Sequence, residues 1–122
     1  MSEIILGYCN HHILNQIFEV AWHPNLRAFL DCIIVRHSKV TITSAHRKAP
    51  IHPSDSRIHM TNPLRAFDLR SRDFPDPVAV QNDLNSIWIY DPARPWLNVV
   101  VYHNTGFGWH FHCQVHDNTQ RR

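Results

Sequence analysis

From Trp109 to His116 the chain reads WHFHCQVH, an unbroken alternation that leaves little choice of local structure. A strand points successive side chains to opposite faces, so His110, His112, Gln114 and His116 share one face and Trp109, Phe111, Cys113 and Val115 the other. The first face is polar and the second apolar. That division suits a strand with its dry side on a core and its histidines lining a cleft. It also turns Cys113 away from His110 and His112. Just upstream, LNVVVYH (97–103) is rich in β-branched residues and NTGFG supplies two glycines for a turn, so the two segments are expected to form a hairpin.

A chain of 122 residues, 43% hydrophobic, has room for one domain with a real core and none for a second, so 1–122 reads as a single unit. The formal charge of +2 is too small for a dedicated nucleic-acid binder, although Arg65, Arg70 and Arg72 cluster locally. Cys9, Cys32 and Cys113 lack paired metal spacing and are expected to be reduced and mostly buried. The N-terminus, MSEIILGYCNHH, has neither the basic start nor the long apolar core of a signal peptide, and no apolar run approaches membrane-spanning length. Synthesis as a soluble cytoplasmic chain, with no membrane partner, is the expectation, and nothing in the sequence fixes an oligomeric state. Eleven histidines against two lysines is the oddity of the composition.

Ile13, Leu14, Ile17, Phe18 and Ala21 recur at helical spacing, and Pro24 opens a second helix with Leu26, Phe29, Leu30, Ile33 and Ile34 on its apolar stripe. Both helices are expected to pack on the core. KVTITS (39–44) alternates and predicts a strand. From His46 to Phe74 the chain is rich in Pro, Ser, Asp and Arg, a long irregular excursion of the kind that carries function, with FDLR inside it as a short strand. Asp76 and Pro77 start a third helix that turns Val80, Leu84, Ile87 and Trp88 to one face. In IWIYDPARPW (87–96), Trp88, Tyr90 and Trp96 are expected to close the edge of the core, a carbohydrate or peptide platform being the alternative. The order helix, helix, strand, loop, strand, helix, hairpin predicts an α+β fold, with helices packed on a small, mainly antiparallel sheet.

The excursion contains SAHRKAPIHPSDSRIHMTNPLRAFDLRS (44–71), where Asp68 stands between Phe67 and Leu69, two residues that would anchor a strand. Taken alone, an acid there reads as solvent-facing and paired with Arg65 or Arg70.

Taken with His59 and the HFH segment, it resembles part of a known pattern. The LAS metallopeptidases are the zinc D-alanyl-D-alanine carboxypeptidase family, which includes the D-Ala-D-Ala dipeptidases of vancomycin resistance and phage L-alanyl-D-glutamate endopeptidase endolysins. They read a strand ending in S-x-Y-R, then S-x-H-x-x-G-x-A-x-D, then H-x-H or E-x-x-H. ITSAHR (42–47) is similar to the first element with His46 for tyrosine, RAFDLR (65–70) to the A-x-D end of the second, and His110-Phe111-His112 to the H-x-H form of the third. The likeness covers roughly residues 38–117. His59 stands nine positions before Asp68 where the family has seven, Leu64 is nearest the family glycine, and Ser56 falls one residue early. Trp109 occupies the place of the E-x-x-H glutamate, and His52 is the substitute for His59.

The resemblance implies a LAS/hedgehog-like domain with zinc held by His59, Asp68 and His112. Imidazole nitrogen and carboxylate oxygen are zinc donors, and a catalytic zinc keeps three protein ligands plus a water whose pKa falls from ~15.7 towards ~7. His110 lies about 6.6 to 6.8 Å along the strand from His112, too displaced to ligate but near enough to handle a proton. Arg47 resembles the family arginine that meets the substrate's carbonyl or carboxylate, a task its forked, permanent charge suits. His11, His12, His23, His37, His103 and His116 are given no functional role, although His103 and His116 lie on the hairpin where they could support a ligand.

The activity implied is hydrolysis of a peptide bond in peptidoglycan stem peptides by a phage-encoded enzyme, acting after release from the cytoplasm or as a virion component. Two other classes stay open: a non-catalytic zinc-containing binding module, as the hedgehog signalling domain is among relatives of these peptidases, and a virion or nucleic-acid structural protein supported only by the arginines of 57–72. Non-haem iron(II) oxygenases use the same donor types, but no H-x-D or H-x-E occurs here, and neither does HExxH.

Overall fold

The computed structural model describes residues 5–8, 11–37, 39–49, 57–106 and 108–122. Among these described residues it is an α+β domain in which three helices accompany a five-stranded sheet of order β1-β2-β3-β6-β5. The strands are β1 (Ile5–Tyr8), β2 (Lys39–Ser44), β3 (Ala66–Arg70), β5 (Val100–Asn104) and β6 (Trp109–Gln114). Only β1 and β2 pair in parallel, as a crossover through helices α1 (His11–Phe18) and α2 (Pro24–His37) requires; every other pair in the sheet is antiparallel. The strand at Ile5–Tyr8 and a two-stranded ribbon of β4 (Trp88–Ile89) with β7 (Gln120–Arg121) were not expected from the sequence. Both involve runs too short for periodicity to register.

The predicted alternation of β6 holds. Phe111, Cys113 and Val115 are buried, while His110, His112, Gln114 and His116 are half-exposed. Across β3 the same division continues, with Phe67 and Leu69 on the dry side, where Phe67 meets Trp22 and Phe29 at centroid distances of 5.6 and 6.5 Å. Burying rings of this size contributes about 1.5 to 3 kcal/mol each and fixes the register of β3 against β6. In that register Asp68 lies opposite His112 and Arg70 opposite His110, so the acid and the histidines are forced onto one face.

Helix α2 buries the stripe Leu26, Phe29, Leu30, Ile33 and Ile34 as expected. The imidazole of His23 starts it by accepting from Asn25 N at 3.0 Å, and its Nε2–H then donates to Asp117 at 2.9 Å, tying the helix to the chain beyond β6. Helix α3 (Pro77–Ile87) is capped by Asp76, which accepts from Ala79 N at 3.1 Å, with proline in the first turn. Three expectations fail at the margins of the core. Phe18 is 77% exposed because α1 ends there, Trp96 is 71% exposed in its turn while Trp88 and Tyr90 are buried, and Trp109 is 58% exposed where the dry face of the sheet runs out. Cys32 and Cys113 are free thiols, and Cys9 lies outside the described residues. No helix among the described residues is long and apolar enough to cross a membrane.

Candidate metal centre

The polar face of β3 and β6 brings Asp68 and His112 side by side, and the 3-10 turn Arg57–Met60 lowers His59 onto them. That turn is held from both sides. Arg47 N donates to His59 O at 2.8 Å, while Thr61 Oγ donates to Ile58 O and accepts from Arg65 N, each at 2.9 Å. The chain after β2 is fixed in turn by buried Gln16 of α1, whose side-chain oxygen accepts from Ala45 N at 2.9 Å. The predicted ligands, far apart in sequence, thus converge. His59 Nε2 is 3.2 Å from Asp68 Oδ1 and 3.3 Å from His112 Nδ1, and His112 Nδ1 is 3.2 Å from Asp68 Oδ1. Asp68 pairs with these imidazoles rather than with Arg65 or Arg70; Arg70 reaches Asp73 instead.

The hydrogen-bond network fixes which ring nitrogens carry protons. Ala45 O lies 2.8 Å from His59 Nδ1 and can only accept, so Nδ1 is protonated and a neutral His59 presents a lone pair at Nε2. Gln114 donates its amide N–H to Asn98 O at 3.0 Å, which turns its Oε1 to His112 Nε2, also at 3.0 Å. His112 Nε2 therefore carries the proton and Nδ1 the lone pair. With both rings neutral, two imidazole lone pairs and a carboxylate oxygen face one another at 3.2–3.3 Å with no donor between them. Such a triangle repels itself unless a positive charge, a proton or a metal ion, sits among the three atoms. A proton meets the same demand: burial alone would raise the Asp68 carboxyl, but once the rings are protonated, hydrogen bonds from His112 and His59, together with their charge, hold it well below the usual carboxylate range.

The donor set fits a metal. Among the described residues His59, Asp68 and His112 are the group of three or more donors that gather closely enough to share an ion. Both histidines present the arrangement typical of ligands, with the second ring nitrogen donating to a carbonyl oxygen. Exposure of the side chains rises from 2% at His59 through 11% at Asp68 and 13% at His112 to 18% at His110, so the triangle is walled by the turn and open along β6.

His110 occupies that open side. Its Nδ1–H donates to Gly108 O at 3.0 Å, which leaves the Nε2 lone pair facing Asp68 Oδ2 at 3.9 Å. Gly108 adopts φ +102°, a left-handed conformation that glycine takes without strain, and Asn104 Oδ1 accepts from its N–H. Arg47 is half-buried on the segment that carries Ala45, joined through its backbone to His59. His52 and Ser56 lie outside the described residues. Cys113 stays on the opposite face, and burial pushes its thiol up, away from the thiolate form that metals take.

Two residues of this site had no role assigned from sequence. Gln114 sets the tautomer of His112, a role signalled only by its place in the alternating H-x-H-x-Q run. His103 of β5 pairs across the sheet with His110, and its ring centroid lies 4.7 Å from that of His110 and 6.1 Å from that of His112. Burial, then the nearby charges of His110 and His112, push its pKa down and favour the neutral ring. His116, by contrast, accepts from Asn118 N at 3.2 Å beside Asp91 and is part of a turn, not of the site. No protein-family model, curated protein or solved structure matches this chain.

Proposed function

We propose that the protein is a zinc metallopeptidase that hydrolyses a peptide bond in bacterial peptidoglycan stem peptides. The observation that carries the reading is the close triangle of donor atoms formed by His59, Asp68 and His112, with a fourth imidazole nitrogen, His110 Nε2, at its open side. Zinc is favoured over an octahedral ion by the edges of the triangle. Ligands 2.0–2.1 Å from a tetrahedral ion lie about 3.3–3.4 Å apart, and those at right angles about 2.8–3.0 Å. The edges here are 3.2–3.3 Å. The imidazole centroids of His59 and His112, 5.2 Å apart, agree with two rings on one tetrahedral ion, for which about 5.2 Å is expected.

Bound there, zinc supplies Lewis acidity that polarises a carbonyl and acidifies water. His59, Asp68 and His112 hold the ion and contribute a single negative charge among them. His110, kept in one tautomer by Gly108 O, accepts a proton at Nε2 and returns it to the leaving amine, the role a glutamate fills in the E-x-x-H members of the family whose H-x-H form this motif resembles. Arg47, joined to the backbone of His59, meets the substrate's carboxylate or carbonyl. The choice of stem peptide as substrate rests on the ordered likeness of residues 42–47, 65–70 and 110–112 to the LAS family.

The test is to incubate zinc-loaded protein with purified muropeptides and follow products by mass spectrometry. New amino termini that disappear with a chelator and return with added zinc are expected. Zinc-loaded protein that leaves every wall peptide intact while binding one of them would instead assign the fold to a non-catalytic module.

A further inference from the structure

His103 and His110 face each other across β5 and β6 on the same polar surface as the metal centre, yet the proposed chemistry uses only His110. Directly opposed residues on neighbouring strands hold their Cβ atoms about 4.5–5.5 Å apart, a spacing that lets two imidazoles chelate one ion. Two rings on a single ion at angles of 90–110° have centroids about 4.5–5.2 Å apart, given metal–nitrogen bonds of about 2.0–2.1 Å. The His103–His110 separation is 4.7 Å. In the neutral ring His110 Nε2 carries the lone pair, because Nδ1 donates to Gly108 O. Asp68 uses Oδ1 for both His59 and His112, while Oδ2 faces His110 at 3.9 Å. This leaves two imidazoles and one carboxylate oxygen along the open rim. They lie less tightly gathered than the inner triangle, whose three donors fall within 4.8 Å of one another.

We propose that His103 and His110 form a second, weaker transition-metal site, with Asp68 Oδ2 at its inner edge, and that filling it takes up His110 Nε2. Excess zinc would then inhibit the protein by occupying the nitrogen that handles the proton. That consequence rests on the peptidase reading, whereas the binding itself does not.

Titrating zinc into the metal-free protein by calorimetry, with the ring 15N signals of His110 followed in parallel, tests both halves. One tight and one weaker class of site are expected, with the His110 Nε2 signal shifting on the second equivalent and not on the first. His103→Phe keeps a ring on the strand and should retain the tight class while weakening the second on the order of tenfold or more, the loss that outer partners of a metal already cause. His103→Gln gives the same result if phenylalanine disturbs the hairpin. A single class, a second class unchanged in both variants, or a His110 signal indifferent to the second equivalent overturns the proposal. If the tight class is missing, the inner centre fails instead. Two classes with the His110 shift, but no hydrolysis of wall peptides, remove only the peptidase reading.

Discussion

Replacing Gln114 with leucine tests whether the tautomer of His112 is imposed by its neighbour. Gln114 touches no proposed metal position, yet its amide links Asn98 O to His112 Nε2 through two hydrogen bonds of 3.0 Å. Leucine has similar bulk and neither hydrogen bond. Without the acceptor, the proton of His112 is free to move to Nδ1, the atom that faces Asp68 and His59, and the ring is no longer held in plane. Loss of such outer partners costs about 10- to 100-fold in metal affinity, or about 1.4 to 2.7 kcal/mol. Gln114→Glu keeps an acceptor towards His112 and loses only the link to Asn98, so it should lie between the leucine variant and the parent. Competition for zinc against a chromophoric chelator measures all three. A folded leucine variant that holds zinc as tightly as the parent would refute the reasoning, because the orientation of His112 would then owe nothing to Gln114.

His110→Ala should keep its zinc and lose about 10²- to 10⁴-fold in turnover on wall peptides, the usual worth of a positioned general base; loss of zinc would make it a ligand. Phe67 is fully buried against Trp22 and Phe29, so Phe67→Ala should cost about 3–5 kcal/mol in urea unfolding, and a loss below 1 kcal/mol would show that the register of β3 is set elsewhere. The side-chain hydrogen bond from Arg36 is the largest of several effects that together hold Asp83 below its ordinary value, linking the end of α2 to α3. The sign follows from the lowered value: the stability this acid adds is complete above its unfolded pKa of ~3.9 and is lost as pH falls through the folded value. The difference in urea midpoint between the parent and Asp83→Asn should therefore shrink as pH falls below about 4, and a difference that stays undiminished at about pH 3 would contradict the pairing of this acid with Arg36 and His37.

The parts of the fold that periodicity controls were legible. The two faces of β6, the stripe of α2 and the cap of α3 each follow from local spacing, because 2.0- and 3.6-residue repeats decide which side chains share a face. The site was legible only as a set of types. Spacing placed Asp68 beside Arg65 and Arg70, whereas the sheet register sets it opposite His112, a residue 44 positions away. Nor does any local pattern reveal that Ala45 O and Gln114 Oε1 choose the ligating nitrogens. The excess of histidine has a partly structural origin. His23 accepts a backbone N–H at a helix start and His116 accepts one at a turn, a capping task usually given to Asn, Asp or Ser. Trp109 and Phe18 satisfied their apolar periods and still lie at the surface, because a period assigns a face but not where the neighbouring layer ends.

Elemental analysis of the purified protein measures directly whether His59, Asp68 and His112 hold one metal ion. About one zinc per chain is expected, falling to near zero in Asp68→Ala and in His112→Ala, since each removes one of three ligands. A metal-free parent that stays so after incubation with zinc, or variants that carry as much zinc as the parent, would contradict it.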